Sequence, residues 1–242
     1  NQPIPAHTSS REVVWEFEHR DLLSAPVVDD DFHVVGRITV DDVVDVIREE
    51  AEHSLMGAAG LDEEDDMLAP VDRSTTRRAL WLGINLCTAF LAAAVVDLFQ
   101  TTIDKIVLLA VLMPVVPSMG GVAGIQSLTV ITRAMALGQV DRTNARGILR
   151  KELAVGLLNG LGWAVIVAAF TYLWFGDWRI GGVIGAAMII NLFVAAFAGF
   201  IIPLTLKRMN IDPALAGGVV LTTVTDVIGY MAFLGLGAAF LL

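Results

Sequence analysis

Leu221-Thr222-Thr223-Val224-Thr225-Asp226-Val227-Ile228-Gly229 lies inside an apolar run, residues 213–242, that contains no Arg, Lys or His. About 20 apolar residues are enough for a helix to cross a hydrocarbon core of about 30 Å. Asp226 stands 13 residues beyond Pro213, roughly 20 Å along a helix, which places it near mid-bilayer. An ionisable residue at that depth is a functional hypothesis by default. Its carboxylate can be met by a proton, by water or by a cation, and Thr222 and Thr223, one turn earlier, share its face. A protonated, hydrogen-bonded structural Asp is the competing reading; a cation site is the favoured one.

Four further apolar segments precede this run, at 79–98, 103–137, 153–174 and 180–206, each long enough to span. Backbone groups inside lipid must pair within their own segment, so the spans are expected to be helices. The fold class is therefore an all-α polytopic membrane domain of five transmembrane helices. The loop between the second and third spans carries Arg142, Arg146, Arg150 and Lys151, with Arg133 just before it. Lys207 and Arg208 lie between the fourth and fifth, whereas the opposite side has Lys105 and Arg179. Positive charge stays inside, which puts the N-terminus and both basic loops in the cytosol and Leu242 outside. Tyr172, Trp174 and Trp178 fit an interfacial aromatic belt on the outer side.

Composition agrees. Of the 242 residues 55% are hydrophobic and 17% charged, with mean hydropathy +0.68, against about 45–50% and 25% in a soluble domain. The single Cys87, in an apolar run, excludes a disulfide scaffold and reads as a buried, inert thiol. Residues 1–78 carry a net charge of −12 and residues 79–242 a net +2. An acidic head on a nearly neutral apolar body points to a cytosolic module joined to a membrane domain, with cations rather than nucleic acid as partners.

The head, residues 1–50, reads as a small α/β unit. Ser10 is expected to cap a helix over 11–20, with strands at 25–28 and 33–39 around the turn Asp29-Asp30-Asp31, then a helix from residue 40 to residue 50. The order helix–strand–strand–helix, with Val35-Gly36-Arg37-Ile38-Thr39-Val40-Asp41-Asp42-Val43, resembles one cystathionine-β-synthase (CBS) motif. That resemblance implies a nucleotide-ribose contact, with ATP as ligand, at Thr39 and Asp42. The competing assignment is a helix cap for Thr39 and a first-turn carboxylate for Asp42. Residues 51–78 read as a connector, helical over 51–61, then carrying the five acids 62–66 and Arg73, Arg77 and Arg78 at the membrane boundary.

The second membrane feature is Pro114-Val115-Val116-Pro117-Ser118-Met119-Gly120-Gly121-Val122-Ala123-Gly124-Ile125-Gln126-Ser127. Its prolines and glycines are expected to interrupt the second span, freeing carbonyls towards a wet cavity. Simple helix packing through Gly120-xxx-Gly124 is the alternative, as expected for Gly156-xxx-Gly160 and Gly181-xxx-Gly185. Mg²⁺ keeps its waters and is met by one or two carboxylates. One Asp per chain, doubled across a two-fold axis, suits a hydrated divalent ion, and all four His lie within residues 1–78, ahead of the spans and away from any soft-metal site there.

A CBS motif, an acidic connector, five spans, the string Pro-x-x-x-x-x-Gly-Gly-x-Ala-Gly-x-Gln and Asp-Pro-Ala…Thr-Thr-x-x-Asp-x-x-Gly together resemble the MgtE family of magnesium channels. The resemblance implies a homodimer in a bacterial-type cytoplasmic (inner) membrane whose central pore selects hydrated Mg²⁺ at Asp226. Gly120, Gly121, Gln126, Thr222 and Thr223 then line the pore with Val122, which stands where many relatives carry Asn, so that selectivity leans on Asp226, the threonines and carbonyls near Gly120–Gly121. It implies connecting "plug" helices that close the cytosolic mouth when Mg²⁺ binds acidic residues, for which Glu49, Glu52 and Asp212 are the candidates. Asp212 has a helix N-cap as its alternative role. An upstream acidic helical domain and a first CBS motif are expected ahead of Asn1. A proton- or sodium-coupled carrier of Mg²⁺, Co²⁺ or Mn²⁺ using Asp226 is the alternative function. An intramembrane enzyme or scaffold is disfavoured, because neither His-Glu-x-x-His, a Ser/Lys pair nor a second intramembrane carboxylate accompanies Asp226.

Overall fold

A computed structural model describes residues 3–58, 61, 70–141 and 143–242, in two compact units, Asn1–Glu64 and Asp65–Leu242. The acids at 62–66 and Arg142 lie outside the described residues, as do the side chains of Arg73 and Arg77.

In the first unit the order is β1 (Ile4–Pro5), α1 (Ser10–Arg20), β2 (Ser24–Val28), β3 (Val34–Thr39) and α2 (Val40–Ala58). β2 pairs antiparallel with β3, Ala25 opposite Ile38, and β1 adds to the other side of β2 in parallel. The two-residue β1 escapes sequence inspection because it is too short to show an alternating pattern. Ile4, Val13, Phe17, Ala25 and Val43 form the small core. The cap of α1 is Ser9, not Ser10: its hydroxyl accepts from the Glu12 backbone N–H at 3.4 Å, while Ser10 is already the first helical residue. The acidic turn forms as expected, Asp29 Oδ1 accepting from the N–H groups of Asp31 and His33 at 3.0 and 2.8 Å. α2 continues through residue 50, so the expected boundary there falls inside a helix.

The second unit is helical: α3 (Val71–Asp97), α4 (Gln100–Lys105), α5 (Leu108–Leu112), α6 (Val115–Ala136), α7 (Ala145–Phe175), α8 (Trp178–Arg208) and α9 (Pro213–Leu241). Among the described residues, five helical segments are long and apolar enough to span: Ser74–Asp97, Leu108–Ala136, Ala145–Phe175, Trp178–Arg208 and Pro213–Leu241. The second was expected to be broken at Pro114, Pro117 and Gly120–Gly121. A break does fall at 113–114, on Pro114, and another at 106–107 was not expected, but α6 runs regularly from Val115 through Pro117 and both glycines. The physical reason is position: Pro114 is the N-cap and Pro117 lies in the first turn, where a missing N–H costs nothing.

α8 is the central helix, with 61% of its most apolar window buried. It packs on α7 through glycines: a Cβ on Gly156 would stand 2.6 Å from the Ala196 Cβ, and one on Gly181 2.8 Å from the Ala168 carbonyl oxygen. These are the close approaches that small-xxx-small spacings give in lipid. Cys87 is exposed on α3 rather than buried; on a helix whose outer face is apolar, exposure is to lipid or to another chain. Tyr172, Trp174 and Trp178 are exposed at the adjoining ends of α7 and α8, with the Arg179 guanidinium 6.0 Å from the Trp178 ring centroid.

Candidate intramembrane cation site

Every fourth residue of α9 is buried: Gly217, Leu221, Thr225 and Gly229, followed by Phe233 and Gly237. This stripe lies against α6. A Cβ on Gly124 would meet the Leu221 side chain at 3.0 Å, and one on Gly217 the Leu128 side chain at 3.1 Å. The same construction at Gly121 finds Thr225 Oγ1 at 3.9 Å and Thr222 Cγ2 at 4.0 Å. Each residue turns the helix by about 100°, so residues 222, 226 and 230 form the neighbouring face, one step round from the packed stripe.

Asp226 is on that neighbouring face. It is the fourteenth of the 29 residues of α9 and is only partly buried. Its carboxylate makes no hydrogen bond and no ion pair with any described residue, and no group of three or more His, Cys, Asp or Glu able to hold a metal occurs among the described residues. Within one chain, then, the carboxylate is presented rather than satisfied. Thr222 Oγ1 donates back to the carbonyls of Gly218 and Val219 at 3.1 Å, and Thr223 Oγ1 to that of Val219 at 2.7 Å. With their protons committed to the helix, both hydroxyl oxygens keep lone pairs for outside donors. Around Asp226 this side of the helix thus offers acceptors, one carboxylate and two hydroxyl oxygens, with the Tyr230 phenol one turn further on.

The structure separates the other pore candidates. Gly120 and Gly121 lie inside α6, so their carbonyls belong to its i→i+4 ladder and are not freed for an ion, which corrects the expectation of open backbone there. Gly121 faces Thr222, but Gly120 faces Asn191 of α8. Val122 is 57% exposed, and Gln126 lines a cleft of about 180 Å³ with Ser127, Glu152 and Asn159. Three features here were not singled out from sequence. Glu152 is a buried second carboxylate, 8% exposed, accepting from Ser127 Oγ at 2.9 Å. The expectation that no other carboxylate lies among the spans is therefore corrected: α7 starts at Ala145, two turns before Glu152. Asn191 is fully buried, and Tyr230 follows Asp226 by one turn. A lone amide within the apolar 180–206 segment was the available signal for Asn191.

Asp212 is the N-cap of α9, its Oδ1 accepting from the Ala214 N–H at 2.8 Å. Glu49 and Glu52 are exposed on α2 of the first unit, Glu52 Oε1 accepting from Arg48 Nε at 3.1 Å. Thr39 and Asp42 bind each other: Asp42 Oδ2 accepts from both the N–H and the hydroxyl of Thr39 at 2.8 Å, capping α2. The backbone bond, then the hydroxyl, holds the Asp42 carboxyl below its ordinary range. A cleft of about 270 Å³ in this unit is lined by His7, Glu12, Glu16 and Arg20, and neither Thr39 nor Asp42 borders it.

Five helices long and apolar enough to span, one of them presenting a partly buried, unpartnered carboxylate at mid-length, define an α-helical integral membrane protein. The MgtE family model, described as a divalent cation transporter, matches residues 113–236, from just before α6 almost to the end of α9. The chain belongs to the MgtE family. It is 30% identical to the magnesium transporter MgtE of Bacillus subtilis over 95% of its own length and 51% of the relative's. The magnesium transporters MgtE of Enterococcus faecalis and Thermus thermophilus are each 30% identical, over 95% and 96% of this chain and 51% and 52% of their own lengths. The chain thus spans about half the length of the curated relatives it matches. The family is one of transporters, which sets aside an enzyme.

Proposed function

We propose that this chain carries Mg²⁺ across a bacterial-type cytoplasmic membrane into the cytosol, through a homodimeric pore in which two copies of Asp226 face one hydrated ion. The observation that carries this reading is the unpartnered Asp226 carboxylate at mid-helix, flanked by hydroxyl oxygens whose protons are already used. A hydrated divalent ion presents water protons outward, and such a shell is recognised by acceptors. Mg²⁺ retains its waters and is held through few carboxylates, and no cluster of three or more His, Cys, Asp or Glu accompanies Asp226 among the described residues. The relatives, which are named magnesium transporters, support this substrate.

In this reading residues 79–242 form the pore, residues 1–50 a partial CBS domain that takes ATP at Thr39 and Asp42, and residues 51–78 the connecting helix. The basic loops place the N-terminus in the cytosol and Leu242 outside. Gating by cytosolic Mg²⁺ is assigned to acidic residues, with Glu49, Glu52 and Asp212 as candidates: an ion that binds the closed state more tightly favours it. Current measurement in a planar bilayer tests the transport mode. A reversal potential that follows the Mg²⁺ gradient supports a channel; electroneutral uptake that follows a proton or sodium gradient would instead establish a coupled carrier.

A further inference from the structure

Asn191 is the polar side chain that the transport reading leaves unused. It is 0% exposed, in the middle of α8, and its Nδ2 donates to the Val116 carbonyl of α6 at 2.8 Å. Two glycines on different helices make room for it. A Cβ on Gly120 would collide with Asn191 Nδ2 and stand 2.8 Å from its Cγ. A Cβ on Gly229 would stand 3.0 Å from the same Nδ2 and 3.0 Å from Pro117 Cγ. The amide is therefore wedged where α6, α8 and α9 meet, and Gly229 is one turn beyond Asp226. Its Oδ1 is buried with no hydrogen-bond partner among the described residues. A buried amide with an unsatisfied oxygen is costly, and each such group in a folded protein asks for an explanation.

We infer that Asn191 is a positioning residue: by bonding α6 and filling the gap left by Gly120 and Gly229, it fixes the register of α9 against α6 and so sets where the Asp226 carboxylate stands. The inference rests on the Asp226 pore reading. Recognition through a water shell is sensitive to the spacing of its acceptors, so loosening this junction degrades discrimination, and not only protein yield. An aliphatic replacement removes the directional bond to Val116 while keeping the volume; alanine removes both.

The test uses the whole chain in liposomes, with Mg²⁺ and Ca²⁺ uptake measured at equal amounts of folded protein. Asn191→Leu and Asn191→Ala are expected to raise the half-saturating Mg²⁺ concentration roughly fivefold to tenfold, as loss of a buried hydrogen bond does, and to lower the Mg²⁺:Ca²⁺ ratio. Gly120→Ala, which collides with Asn191, is expected to be impaired, and Asn191→Ala in the same chain to restore part of its uptake. Unchanged half-saturation and selectivity in both Asn191 variants would overturn the inference, as would a Gly120→Ala defect that Asn191→Ala leaves untouched. Asp226→Asn, run alongside, separates the two levels: if it transports normally, the pore reading itself has failed; if it is inactive while the Asn191 variants behave as wild type, only the positioning role has.

Discussion

Ser127 Oγ donates to Glu152 Oε2 at 2.9 Å, joining α6 to α7 by a hydrogen bond whose residues are both buried. Removing the donor strands a carboxylate in an apolar junction, at a cost of about 1–3 kcal/mol. Ser127→Ala is therefore expected to lower the midpoint of thermal unfolding in detergent. Glu152→Gln keeps an acceptor opposite Ser127 and should lose less. Identical midpoints for Ser127→Ala and wild type would show that this bond contributes no stability.

The α7–α8 seam relies on the absence of side chains. A Cβ on Gly181 would stand 2.8 Å from the Ala168 carbonyl oxygen, a backbone atom that cannot rotate aside. Gly181→Val is expected to destabilise by about 1–3 kcal/mol through overpacking. Gly182, one residue on, has open space around its Cβ position, so Gly182→Val serves as the control and should unfold close to wild type. A Gly181→Val protein as stable as that control would contradict the packing described.

Asp42 gives a pH dependence whose sign is fixed. Its carboxyl is held low by the Thr39 backbone bond and then by the Thr39 hydroxyl. A depressed folded pKa adds stability that is present above the ordinary carboxylate value of about 3.9 and is lost as pH falls through the folded value. Thr39→Val removes the hydroxyl bond alone, so the Asp42 carboxyl, followed by carbon-13 NMR, should titrate at higher pH than in wild type. An unmoved titration would mean that the hydroxyl has no part in the cap.

The basic residues predict sidedness. With Cys87 replaced by Ser, a membrane-impermeant thiol reagent should label Gln139→Cys from the cytosolic side and Arg179→Cys from the outside. The reverse pattern would invert the topology and the direction of the proposed pore.

The five spans were legible because apolar length is a local property, and Asp226 because a charge in such a run stands out. Less of the site could be read. Glu152 follows Arg150 and Lys151, so it looked like part of a basic loop. Only the start of α7 at Ala145 shows that it shares the buried face of Gly156 and Gly160, a spacing of four that was present in the sequence. The break at Pro114 was legible, but Pro117 reads as a second one because a proline's position relative to a helix start is not visible until that start is known. Gln126 and Gly121 come from one motif but face different helices, since five residues turn a helix through well over one revolution.

Mg²⁺ uptake by Asp226→Asn, in liposomes and with folding and oligomeric state compared with wild type in the same preparation, tests the central claim most directly. The substitution keeps size and one acceptor oxygen but removes the charge that a divalent ion requires at that depth. Uptake is expected to fall to the level of empty liposomes while the assembly persists. Wild-type uptake from the variant would contradict the assignment of Asp226 as the point at which the ion is selected.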